Sequence, residues 1–229
     1  MSETDIVEDR GPGVETPGHA LTETPEELAY ELRAQEGSIW TGTRLLIGVS
    51  IFTYASLAFA YFYLRSSDSF ALWRPAGITA PTAYGAAIMA LMIAAAGLAV
   101  LSTRRLKSNQ AVDFQVAGWT TVLCGLTALG LQILELTHLP FFPGSSGYSS
   151  CFIGWAAINF GTIVGSLYWS ETLLARFLRL RRAFAEEGGA SSSPLPAARL
   201  FRANADGCAA FWCFVAVAEI FFWLLFYVI

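Results

Sequence analysis

Charged residues are scarce in this sequence. Only 14% of the 229 residues are Asp, Glu, Lys or Arg and 55% are hydrophobic, whereas a soluble domain of this size normally carries about 25% charged residues. The charged residues also stand in short blocks, which leave apolar runs close to the ~20 residues that a helix needs to cross a bilayer. The composition therefore favours lipid over water as the solvent of most of the chain.

Histidine and paired cysteine are scarce as well. The sequence has two histidines, His19 and His138, and its four cysteines show no CxxC spacing. A membrane b-type haem usually takes a pair of axial imidazoles, and a copper site takes a pair or more, so a single intramembrane histidine builds neither. Walker, GxGxxG and Ser/His/Asp patterns are absent too. We expect this chain to hold no active site, metal or cofactor and to bind no nucleic acid. Small apolar core positions are expected for Cys124, Cys151, Cys208 and Cys213.

Five apolar runs predict five transmembrane helices. They cover about residues 42–64, 81–101, 116–138, 150–174 and 208–229. Backbone polar groups find no water at membrane depth, so runs of this length must form helices. The predicted fold is all-α, an integral membrane bundle of five transmembrane helices within residues 42–229.

Basic residues are unevenly shared among the loops between these runs. The second and fourth loops carry nine Lys and Arg residues together, whereas the first and third carry two, Arg65 and Arg74. The positive-inside rule then places the N-terminus in the cytoplasm and the C-terminus outside.

The first 41 residues form a predicted acidic tail. They hold ten of the eighteen acids against two arginines, which gives the tail a net charge of −8 and the remainder +4. The tail lacks the basic start of a signal peptide, so we expect it to stay uncleaved in the cytoplasm. Residues 24–35 have the spacing of a short amphipathic helix for a membrane surface or a partner, although the composition favours a solvated tail. Residues 186–198 are a predicted flexible linker.

Two carboxyl groups lie inside predicted spans. Burying one costs about 2.5–3.5 kcal/mol on insertion scales, so each needs a partner. Glu135 shares a face of the third run with Gln132 and His138, which can both hydrogen-bond it, and Glu219 lies in the middle of the fifth run. We favour protonated, hydrogen-bonded carboxyls over a role in proton movement, and we expect Glu135 to hold a lipid head group or a partner helix.

Small residues on the fourth run form a GxxxG pattern. Gly161 and Gly165 stand four residues apart in GTIVG, and this spacing lets two helices approach closely. We therefore predict a helix-packing face at these glycines.

Four segments, in order along the chain, are similar to those of one family. FAYFYLR (59–65) ends its run on aromatic residues and arginine, and GLQILELTHL (130–139) places Gly, Gln, Glu and His-Leu in succession. GYSSCF (147–152) opens the fourth run and FWCFV (211–215) lies early in the fifth. Together they resemble subunit III of the haem-copper respiratory oxidases (cytochrome c oxidase) in its short, five-span bacterial form.

The resemblance implies a non-catalytic subunit that packs against oxidase subunits I and II in the bacterial cytoplasmic (inner) membrane. Such a subunit binds phospholipid, supports oxygen access and proton uptake, and leaves haem and copper to its partners. The acidic tail is a further candidate contact with other respiratory subunits. We expect lipid-binding or structural roles for Gln132, Glu135, His138, Arg65, Tyr61, Trp212 and Glu219.

The sequence departs from the family pattern at several intramembrane positions. Ser50 stands in place of an acidic residue of the first span, and Asn159 and Thr162 replace paired histidines of the fourth. The fifth span lacks the family's histidine and aspartate, while Glu219 stands where tryptophan is frequent. The chain is thus similar to a divergent member.

Three other functions stay open. A subunit III-like component of a quinol oxidase or nitric oxide reductase would share the same bundle, because the electron donor is set by other subunits. A small transporter would need inverted repeats or broken helices, which the sequence does not show. An assembly scaffold is the third alternative.

Overall fold

The computed structural model describes residues 25–67, 73–74, 78–187 and 196–229. These residues form five α-helices: α1 (Pro25–Ser66), α2 (Thr82–Lys107), α3 (Ala111–Thr137), α4 (Gly147–Glu187) and α5 (Pro196–Trp223). A π-helical turn, Leu224–Val228, extends α5. All five helices are long and apolar enough to cross a membrane, so the predicted all-α transmembrane bundle is confirmed.

Helices α1, α4 and α5 extend beyond the apolar runs. Helix α1 has 42 residues and takes in residues 25–41 of the predicted tail without a break. The predicted helix at residues 24–35 is therefore the start of α1, with Pro25 at its first position and Glu26 and Glu27 near its positive dipole end. Helix α5 likewise begins on a proline, Pro196, inside the predicted linker. Residues 1–24 and 188–195 lie outside the described residues.

Helices α2 and α3 form a tight antiparallel hairpin. Asn109 makes the turn in the left-handed conformation, with a φ of 57°, which asparagine tolerates better than most residues. The Gln110 amide then donates to the Arg105 carbonyl at 2.9 Å. Because the connection is so short, the two helices pack along their length.

The bundle has two hydrophobic clusters. One lies toward the end where α2 joins α3, which we call the basic end, and it is built from α2, α3, α4 and α5 around Met92, Phe177 and Trp212. The other lies toward the opposite end, between α1, α4 and α5, and it is mostly aromatic, with Trp155 and Phe222 at its centre. Phe214 is packed against both clusters, so the interior is continuous.

Ion pairs of the described residues lie at the basic end. The exposed or half-exposed pairs are Lys107 with Asp206 at 2.8 Å, Arg199 with Glu36 at 2.5 Å and Arg105 with Asp113 at 3.6 Å. Pairs of this kind contribute little stability individually. The first connects α2 with α5, the second connects α5 with the polar start of α1, and the third connects α2 with α3.

Helix α1 is the peripheral helix. It packs against α4 and α5, yet only 11% of its most apolar stretch is buried, compared with 39–56% in the other four helices. Large apolar side chains such as Phe52, which is 75% exposed, cover its free face. This face must meet lipid or another protein.

Candidate functional site

Both intramembrane carboxyls lie in the interior of the bundle. Glu135 on α3 is 0% exposed and Glu219 on α5 is 1% exposed. The Tyr227 hydroxyl, on the π-helical turn, donates a hydrogen bond to Oε1 of Glu135 at 2.5 Å. The sequence identified each of the two carboxyls separately but gave no sign that Glu135 contacts Tyr227.

Gln132 connects the same face of α3 to α4. Its side-chain Nε2 donates to the Ala156 carbonyl at 3.1 Å, and the residue is fully buried. The expected hydrogen bond between Glu135 and His138 is not formed. His138 caps the end of α3 with its side chain exposed, its Nδ1 lies 2.7 Å from the Leu134 carbonyl, and its ring stacks on Tyr84.

The partner of Glu135 is therefore another helix of the same chain. Its carboxyl is buried in the interior of the bundle, and binding of a lipid head group stays a prediction. His138 lies at the rim because α3 ends at Thr137 and His138 is the C-cap beyond it. Glu135 lies within the last turn of α3 and faces the core.

Asn159 and Thr162 of α4, where the similar family has histidines, are connected to α1 by Tyr54. The Tyr54 hydroxyl lies 3.2 Å from Thr162 Oγ1 and 3.4 Å from Asn159 Oδ1. Asn159 in turn lies beside Glu219, although its Nδ2 makes no hydrogen bond of ordinary geometry. We call Tyr54, Gln132, Glu135, Asn159, Glu219 and Tyr227 the buried polar cluster. Sequence reasoning missed Tyr54 and Tyr227, because tyrosines are common in apolar runs.

Several atoms of the buried polar cluster lack hydrogen-bond partners. They are Gln132 Oε1, Glu135 Oε2, Asn159 Nδ2 and both carboxyl oxygens of Glu219. Four of these five atoms are acceptors. Each buried polar atom left unpaired costs about 1–3 kcal/mol, so the cluster needs further donors.

Tyr61 and Arg65 lie near the C-terminal end of α1, and Tyr61 belongs to the mostly aromatic cluster. Tyr61 is 1% exposed and donates to the Leu225 carbonyl of the π-helical turn at 2.9 Å, while exposed Arg65 donates to the Tyr61 hydroxyl at 3.3 Å. Tyr148 donates to the Phe226 carbonyl at 3.0 Å, and Arg74 lies over the Tyr148 ring at 4.8 Å. These bonds hold the C-terminal turn that carries Tyr227.

Trp212 packs in the interior between α4 and α5. It is fully buried, and its Nε1 donates to Ser170 Oγ at 2.9 Å. Ser170 also lies 3.6 Å from the Cys208 sulfur. These contacts bind α4 to α5 and leave Trp212 no exposed edge for a ligand.

Gly161 and Gly165 do not pack against another helix of this chain. A Cβ atom added at either glycine would meet nothing within 4 Å. The two glycines line an open groove between α1 and α4, beside Ser50, Thr162 and Trp169. The predicted packing face is therefore not used within the described chain.

Taken together, these features define a multi-pass helical membrane protein whose polar residues connect helices in its interior. Within the described residues, no group of three or more His, Cys, Asp or Glu side chains lies close enough to hold a metal ion. No protein-family model matches the chain, and no curated protein is significantly similar to it.

Proposed function

We propose that this chain is a non-catalytic subunit of a haem-copper terminal oxidase, of the subunit III type. It would stabilise the catalytic subunit I, bind phospholipid, and support oxygen access and proton uptake. Electron transfer and dioxygen reduction would take place in subunits I and II, which would carry the haem and copper. The complex would lie in a bacterial cytoplasmic membrane, with the acidic N-terminal tail inside and the C-terminus outside.

The observation that carries this proposal is the role of segment 130–139. Gln132 and Glu135 fall at the family's positions, and they are buried residues that join α3 to α4 and to the end of α5. Side chains used in this way maintain the shape of the bundle and do not reach a substrate. A structural subunit needs such residues, whereas a transporter would expose polar groups to a passage.

The free face of α1 supports the same proposal. Apolar residues cover it, and it buries far less of its surface within the chain than the other helices do. A subunit that packs against a larger membrane protein needs a face of this kind. We therefore assign the α1 face to subunit I.

The test is purification of the tagged chain from its native membrane in mild detergent. A reduced-minus-oxidised spectrum with haem bands, together with a large haem-bearing partner, is the expected result. A Phe52→Ala variant should retain less of this partner, whereas Leu123→Ala, which removes a similarly exposed side chain from α3 (63% exposed), should not. A stable monomer without haem that supports substrate-dependent flux would instead establish a transporter.

A further inference from the structure

A cavity lies between four helices near the basic end of the bundle. Its volume is about 40 Å³, and all twelve of the residues that line it are buried. They come from α2, α3, α4 and α5, and many have small side chains, such as Ala99, Gly118 and Ala209. One water molecule requires ~10–15 Å³, so the cavity has room for a ligand of a few heavy atoms.

The polar side chains of the lining are already hydrogen-bonded to the protein. The hydroxyls of Ser102, Thr103 and Thr121 donate to backbone carbonyls at 3.2, 2.9 and 2.9 Å. Ser170 donates to a carbonyl of its own helix at 2.9 Å and accepts a hydrogen bond from Trp212. Among the lining residues, all of which the structure describes, no buried side-chain N or O atom lacks a partner. The lining thus differs from the buried polar cluster, where several such atoms are unpaired.

The surface of the cavity is consequently made almost entirely of carbon. The hydroxyl hydrogens are directed at backbone carbonyls, so a water molecule would find few groups to replace the roughly three hydrogen bonds that a buried water makes. The lining also has no Asp, Glu, Lys, Arg or His, so an ion would stay desolvated without a counter-charge. Apolar cavities of this kind stay dry and admit apolar molecules.

We propose that this cavity is a binding site for a small, neutral, apolar molecule that enters from the membrane. Lipid tails dissolve such molecules and surround the bundle. A bound molecule would contact all four helices at once and supply dispersion contacts that the empty cavity lacks. This inference does not depend on the proposed function, since it follows from the residues of this chain alone.

Infrared spectroscopy of the full-length chain in lipid bilayers, with xenon as the probe, tests this proposal. Cys208 is the only cysteine of the lining, and its S–H stretching band, assigned by its loss in Cys208→Ala, reports on the cavity. Under xenon pressure we expect this band to shift and the shift to saturate. The bands of Cys124, Cys151 and Cys213, which lie elsewhere, should stay in place, and helium at the same pressure should move none of them.

Variants of the lining make the test specific. Ala99→Val adds two carbon atoms to the lining and should weaken xenon binding by about tenfold or more, because the ligand would overlap them. Ala94→Val, the same change at an exposed position of α2, should leave binding unchanged. Ala209→Val fills the space from α5 and gives a second measurement if Ala99→Val does not fold.

A fourth variant separates an apolar ligand from water. Thr121→Val replaces a hydroxyl with a methyl group of similar size and should leave xenon binding within about threefold. A larger gain would show that xenon displaces a water molecule held by the hydroxyl, so the cavity would be a water site and the proposal would be overturned. An unmoved Cys208 band in the wild type would overturn it too, as would binding weakened by less than about threefold in the filled variants.

Discussion

The hydrogen bond between Tyr227 and Glu135 connects two helices in the core, so its removal has a calculable effect. Hydrogen bonds between membrane helices contribute about 0.6 kcal/mol on average and up to about 1.7 kcal/mol, and a stranded buried acceptor costs about 1–3 kcal/mol. Tyr227→Phe removes the hydroxyl that donates to Oε1 of Glu135 at 2.5 Å. We expect it to lower the free energy of unfolding by about 1–2 kcal/mol.

Changes at Glu135 separate the hydrogen bond from the packing. Glu135→Ala strands the tyrosine hydroxyl and leaves a gap at a fully buried position, so we expect a loss of about 2–4 kcal/mol. Glu135→Gln keeps an acceptor oxygen and the side-chain volume, and its loss should stay below about 1 kcal/mol. In the proposed oxidase complex, Glu135→Gln should therefore leave initial turnover nearly unchanged, whereas Glu135→Ala should weaken retention of the subunit.

Reversible unfolding in mixed detergent micelles, followed by circular dichroism, would measure these values. The double variant Glu135→Ala/Tyr227→Phe should cost about as much as Glu135→Ala alone, which corresponds to a coupling energy equal to the Tyr227→Phe loss, about 1–2 kcal/mol. Thr127→Val is a suitable control, because exposed Thr127 bonds only the Leu123 carbonyl of its own helix. Additive losses in the double variant would refute the contact between Tyr227 and Glu135.

The remaining predictions concern packing, the partner and the topology. Gly125→Ala should destabilise the chain by about 1–3 kcal/mol, because the new Cβ would overlap the Trp212 ring. The control is Gly130→Ala on the same helix, whose Cβ would meet no atom within 4 Å, so this change should be neutral or slightly stabilising. A photoreactive cross-linker on Phe52→Cys should capture a large membrane subunit, and the same reagent on Leu123→Cys should capture lipid; equal capture from both positions would argue against the assignment of the α1 face. Protease added to the outer face of intact cells should leave the N-terminal tail uncut, and cleavage there would reverse the orientation.

The number and order of the transmembrane helices could be predicted from the sequence. Membrane insertion depends on hydropathy summed over a local stretch, so apolar runs such as 81–101 and 208–229 indicate helices without knowledge of the rest of the fold. The same local argument identified Glu135, Gln132 and Glu219 as unusual, because polar side chains inside such runs are costly. The ends of the helices were less predictable, since α1 and α5 continue into polar residues that the bundle stabilises at its basic end.

Only the tertiary structure determined which of these residues meet. Tyr227 lies 92 residues from Glu135 along the chain, and Asn159 lies beside Glu219 on a different helix; neither contact leaves a pattern in either segment. Spacing alone predicted a hydrogen bond between His138 and Glu135 and a packing face at the glycines of GTIVG, yet His138 lies at the rim and the glycines line an open groove. The physical reason is that lipid tails are as apolar as a protein core, so a membrane helix can be hydrophobic on every side. Its sequence then shows that it spans the membrane, while the packing of its neighbours decides which face is turned inward.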